Sequence, residues 1–147
     1  MKRLLASSCV VLLVVVLGTF AHGQNPIPSS ENARHQLAID LLRSINTAEL
    51  DYKLRHTGYA DWKTLVTNAY FTSSGTKWAP KDSPLSKLQF SKSSEILPEW
   101  SLRLNVSADA KAYDLLLEDL MDDKCGYAAI TDDRGVIRQA KSIDCKM

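Results

Sequence analysis

The sequence predicts an α+β domain: a long N-terminal helix packed on a roughly four-stranded antiparallel sheet, with an irregular packed region between them. Three observations predict it. Apolar residues recur every three or four positions from Ser30 to His56, the period of a helix with one buried face. From Trp100 onward the period shortens to two and turn residues punctuate the chain, the pattern of an antiparallel meander. Each of these elements has one apolar face, and helix on sheet is the two-layer arrangement that covers both.

Residues 1–23 carry the pattern of a secretory signal peptide. Lys2 and Arg3 give a positive start, Cys9 to Leu17 is an unbroken apolar run, and Ala21-His22-Gly23 places small residues before Gln24. A membrane anchor is the competing reading of the span from Leu4 to Phe20, which is short for a transmembrane helix and lacks a following basic cluster. Cleavage leaves residues 24–147 as a single globular domain, periplasmic or extracellular, with no stable membrane span. That domain carries 16 Lys and Arg against 17 Asp and Glu, so neither a nucleic-acid groove nor a polybasic membrane patch is expected.

Pro26 and Pro28 keep the leader extended. In the helix that follows, Ala33, Leu37, Leu41, Ile45, Ala48 and Tyr52 form the apolar stripe, widened by Ala38 and Leu42. Arg34, Asp40, Arg43, Glu49, Lys53 and Arg55 occupy much of the rest. Ser29 or Ser30 is the expected cap, Glu31 suits the positive end of the dipole, and Gly58 is the expected left-handed stop. Asp61 is placed to cap a short helix through Trp62, Leu65 and Val66. Residues 71–99 combine Ser, Gly, Pro and Lys clusters with scattered Trp78, Leu85, Leu88, Phe90, Ile96 and Leu97. A structureless stretch of that length is unusual in a compact domain, so a packed excursion containing short helical or strand pieces is expected.

Residues 101–107 alternate strictly and read as a strand with Leu102, Leu104 and Val106 inward. Residues 112–120 fit a strand and a helix about equally by pattern, and the neighbouring hairpin geometry favours the strand. A strand from Cys125 to Thr131, a tight turn at Asp132–Gly135 and a return through Val136–Ala140 complete the sheet, and Ile143–Cys145 closes the chain.

After cleavage two cysteines remain, and in an exported domain Cys125 and Cys145 most simply pair as one disulfide; free or metal-bound thiols are the alternative. Catalytic constellations are weak. His35 and His56 lie on the same helix, roughly 31 Å apart at the helical rise, too far to share a site. The acidic turns Asp122-Asp123 and Asp132-Asp133 offer calcium-type ligands, but each is followed by a cation and neither has the spacing of a calcium loop. No catalytic, cofactor or metal residue is assigned, and no cofactor is expected. Glu49 reads as a rim glutamate, or as a partner for Arg43, Lys53 or a sheet residue. Trp62, Trp78 and Trp100 read as core or rim packing; exposed together, they would form the candidate binding surface.

The run from Leu42 to Tyr52 (LRSINTAELDY) with Gly58-Tyr59 resembles the start of the globular domain in type IV pilins and type II secretion pseudopilins, especially bacterial pilin-like proteins with an SLRTINTAE segment. Gly126-Tyr127 and the run Thr131–Arg138 are similar to the hairpin near the end of those domains. The resemblance implies a long helix across an antiparallel sheet and a disulfide pinning the tail, which Cys125 and Cys145 fit. The prepilin motif is missing: residues 4–20 contain no acidic residue. The expectation is therefore a non-enzymatic, pilin-like domain with a binding, adhesion or accessory role, acting on an unidentified protein or envelope ligand. One alternative is a minor pilin or pseudopilin subunit that retains its apolar segment. The other is a small secreted enzyme or enzyme inhibitor.

Overall fold

Helix α1 spans Glu31–Arg55 and α2 spans Trp62–Thr67 in a computed structural model that describes residues 30–93, 96, 99–122 and 126–141. A single 3-10 turn follows at Pro84–Lys87. The sheet comprises β1 (Trp100–Val106), β2 (Tyr113–Asp119), β3 (Tyr127–Asp132) and β4 (Arg138–Lys141). Its order is β1-β2-β3-β4, antiparallel throughout. The long helix packs on this sheet with the irregular region between them in sequence, as the sequence predicts. Among the described residues no helix is long and apolar enough to cross a membrane.

Within the segment 112–120, Tyr113–Asp119 is strand. Its alternation places Tyr113, Leu115, Leu117 and Asp119 inward. Register explains the choice: Leu117 lies between Leu102 and Ala129, and Leu115 between Leu104 and Thr131, so each inward residue meets an inward neighbour. The turn after β3 forms as expected, with Gly135 at φ 74°. The expected closing segment Ile143–Cys145 lies outside the described residues.

Helix α1 is buried far more widely than its apolar stripe suggests. Leu37, Ala38, Leu41, Leu42, Ile45 and Ala48 are buried, and so are Arg34, Asp40, Ser44 and Glu49. Gln36, Arg43, Thr47, Leu50 and Leu54 form the exposed stripe. Well over half the circumference is covered because the helix has neighbours on two sides. Toward the sheet, Asn46 donates to Thr131 Oγ1 (3.0 Å) and accepts from the Tyr113 hydroxyl (2.8 Å). Toward the irregular region, Asp40 accepts from Ser83 Oγ (3.0 Å), and the Ser44 hydroxyl donates to the Trp78 carbonyl (3.0 Å). The excursion is thus a third layer, and its Phe71, Leu85, Leu88, Phe90 and Ile96 belong to the core.

Both ends of α1 differ from expectation. Ser30 occupies the cap position in extended conformation, but its side chain makes no cap hydrogen bond. Gly58 is not a left-handed stop: the helix ends at His56, whose N–H donates to Tyr52 O. Gly58 instead allows the β1–β2 hairpin to approach. Tyr59 N–H donates to Ala110 O (2.8 Å), and a Cβ at Gly58 would lie 2.6 Å from Ala110 Cβ and 2.7 Å from its carbonyl oxygen. Gly58→Ala is expected to lower stability by about 1–3 kcal/mol through overpacking against backbone. Urea denaturation of the two proteins measures this, and an unchanged midpoint would show that the hairpin yields freely.

Candidate functional site

Two polar clusters stand out, one at the start of α1 and one near its C-terminal half. At the start, Arg34 points at the sheet row formed by Trp100, Asp119, Tyr127 and Lys141. Its Nη2 and Nε both donate to Asp119, the latter at 3.3 Å, and its Nη1 donates to Glu99 Oε2 at 3.0 Å. The guanidinium lies 5.6 Å from the centre of the Trp100 ring. Burial alone would make Arg34 easier to deprotonate, but its hydrogen bonds to Asp119 and Glu99 outweigh it and raise its pKa. Asp119 also accepts from Met121 N–H (2.9 Å), so its carboxylate is well supplied with donors.

At the next residue of the helix, His35 stacks on Tyr127, with ring centres 3.5 Å apart and planes 8° from parallel. Its Nε2 is buried without a hydrogen-bond partner and lies 3.9 Å from Glu31 Oε1. Burial is the main cause lowering the His35 pKa; Glu31 opposes it and Lys141 adds to it. Glu31, His35 and Asp122 bring three ligand-type atoms within 4.8 Å of one another. Glu31 and Asp122 border an open cleft of about 250 Å³ that Arg34, Asp119 and Met121 also line. The sequence reading passed over this cluster. Its signal was Glu31 and His35 four residues apart, a spacing that puts both on one helix face.

The second cluster centres on Glu49. It is fully buried, not at the rim, and pairs with none of Arg43, Lys53 or a sheet residue. Its Oε2 accepts from Ala60 N–H (2.9 Å) and its Oε1 has no partner. Burial pushes its pKa up to about 7; the Ala60 N–H pulls the other way, and the Asp61 charge adds to the rise. Tyr113 nearby is raised in turn, by burial first and then by the Glu49 charge. Beside it runs a groove of about 260 Å³ between α1 and the β3–β4 turn, lined by Asn46, Leu50, Tyr59, Tyr113, Arg134 and Gly135 among others. Leu50, Leu54 and Val136 are exposed, which leaves apolar surface on the helix and on that turn.

The tryptophans do not form an exposed surface, because each fills a place in the packing. Trp62 is buried against Phe71 and Phe90, and its indole N–H donates to the carbonyls of Ser91 and Ser93. Trp100 is buried beneath Arg34 and edge-on to Tyr127. Trp78 is half-buried, with Lys77 4.6 Å above its ring. The disulfide expectation is corrected: no pair of cysteines lies within bonding or near distance. Pairing needs Cα atoms within about 7 Å, and the expectation rested on cysteine number, assumed export and the resemblance, none of which sets a distance. Cys125 and Cys145 themselves lie outside the described residues.

At the acidic turns, Asp132 is taken by Arg134 (2.6 Å) and Arg138 (3.8 Å), and Asp123 lies outside the described residues. His35 and His56 stay apart, each stacked on a tyrosine, Tyr127 and Tyr52. No protein-family model, curated protein or solved structure matches the chain.

Proposed function

We propose that this chain is a pilin-like domain exported to the periplasm or cell exterior, where it acts without catalysis as a binding, adhesion or accessory protein of the envelope. The single observation that carries the reading is the long helix laid across a sequential antiparallel meander, the arrangement that the LRSINTAELDY resemblance implies. Two features support the non-enzymatic part. Both histidines of the domain are engaged by tyrosine rings at opposite ends of one helix. The groove beside α1 is lined by exposed Leu50, and exposed Val136 follows Gly135 of its lining in the chain, a surface suited to contact with another molecule.

A second reading, a minor pilin or pseudopilin subunit, is favoured by one feature: the uninterrupted apolar run within residues 4–20 is what such a subunit would keep as its anchor. The two separate at the N-terminus. Expression of the full chain in a Gram-negative host, followed by fractionation and intact mass, is expected to give a soluble species that begins at Gln24. An uncleaved species confined to the membrane fraction would overturn the first reading in favour of the second.

A further inference from the structure

We propose that Glu31, His35 and Asp122 form a binding site for a divalent transition metal, with Zn²⁺ the best match, fastening the first turn of α1 to the segment that follows β2. The proposal does not rest on the exported, pilin-like reading. It begins with the donor set: one imidazole nitrogen and two carboxylates, the mixture that suits zinc better than calcium or magnesium, with water completing the coordination.

Geometry comes next. Around a tetrahedral zinc with bonds of about 2.1 Å, ligand atoms lie roughly 3.4 Å apart. The three donors here are already within 4.8 Å of one another, so small side-chain rotations close the site. Glu31 has the freedom to make them, since its side chain is 61% exposed. His35 does not need to move much, because stacking on Tyr127 fixes its plane.

The independent sign of a ligand is His35 Nε2. The His35 side chain is only 12% exposed, and Nε2 is buried with no hydrogen bond, yet it faces Glu31 Oε1 at 3.9 Å. A buried ring nitrogen without a partner is costly in a folded protein, and a metal ion would supply the partner.

Two cations of the described residues compete for Glu31 or stand beside it. Lys141 Nζ donates to Glu31 Oε1 (2.9 Å), but both side chains are more than half exposed, so that pair is readily exchanged. Arg34 is committed to Asp119 and Glu99. The cleft of about 250 Å³ beside Glu31 and Asp122 gives the ion a way in from solvent.

The test is zinc titration of the metal-free full-length protein against a chromophoric chelator, alongside Glu31→Gln, His35→Gln and, as a control on the outer sheet face, Glu118→Gln. The expected result is one zinc per chain, at least about tenfold weaker in E31Q and in H35Q, and unchanged in E118Q. Zinc should also raise the melting temperature of the parent protein and of E118Q but not of H35Q. Glu31 is exposed, so E31Q keeps the test decisive even if H35Q unfolds. Absence of zinc binding by the parent protein, or equal binding by E31Q and H35Q, overturns the proposal.

Discussion

Arg34→Ala is expected to destabilise the fold by about 3–5 kcal/mol, the cost of stranding one member of a buried ion pair. Asp119 is the reason: its side chain is 3% exposed, and Arg34 supplies two of its hydrogen bonds. Without the guanidinium, a carboxylate would remain on the inner sheet face between Trp100 and Tyr127. Glu99 contributes less, because it is about half exposed and returns to water. The double variant Arg34→Met, Asp119→Leu removes both charges and should recover most of the loss. Urea denaturation at neutral pH measures all three proteins. A loss below about 1 kcal/mol for the single variant would mean that the adjoining cleft rehydrates Asp119.

Glu49→Gln should change how stability depends on pH. In the folded protein Glu49 holds its proton to about pH 7, against an ordinary value of 4.5. Between those values the native state binds more protons than the unfolded chain. Stability contributed by the neutral carboxyl is therefore full below about pH 4.5, falls as pH rises, and is gone above about pH 7. Each unit is worth about 1.4 kcal/mol, so the fall sums to about 3 kcal/mol. Glutamine stays neutral, and the stability of E49Q relative to the parent protein should rise by about that amount between pH 5 and pH 8. Asp51, Asp61, Asp109 and Asp132 are held below their usual range, so their contributions are lost as pH falls toward acid, in both proteins alike. Equal pH dependence of the two proteins would show that Glu49 is hydrated in solution.

Why the two largest effects sit on Arg34 and Glu49 is also why neither was legible in the sequence. Periodicity locates a helix by its apolar residues, and the stripe from Leu37 to Ala48 did so correctly. It assumes one covered face. Here the sheet and the excursion cover two, and charged positions beside the stripe are enclosed with it. Only long-range partners reveal which: Asp119 for Arg34, Ser83 for Asp40, the Ala60 N–H for Glu49. Strand β1 was legible because alternation of Leu102, Leu104 and Val106 depends on one buried face alone, whereas the pattern of residues 112–120 fitted strand and helix about equally and only the neighbouring hairpin favoured the strand. The excursion was legible as a packed region but not in its course, since its buried Phe71 and Phe90 sit on irregular backbone and Leu85 in a single 3-10 turn, with no period to read. Gly58 was noticed for the wrong property: a sequence shows the missing side chain, but not that Ala110 from a distant hairpin occupies its place.

Strand β4 has one more consequence. It is four residues long, exposed at every position, and carries Arg138 and Lys141. A further strand laid along that margin would have to desolvate cations and would gain few main-chain bonds. The sheet therefore resists lengthening on that side, which protects the protein against self-templated aggregation there. Strand exchange with a neighbour at β4 is likewise disfavoured, so contacts made near this end of the molecule fall to side chains rather than to backbone.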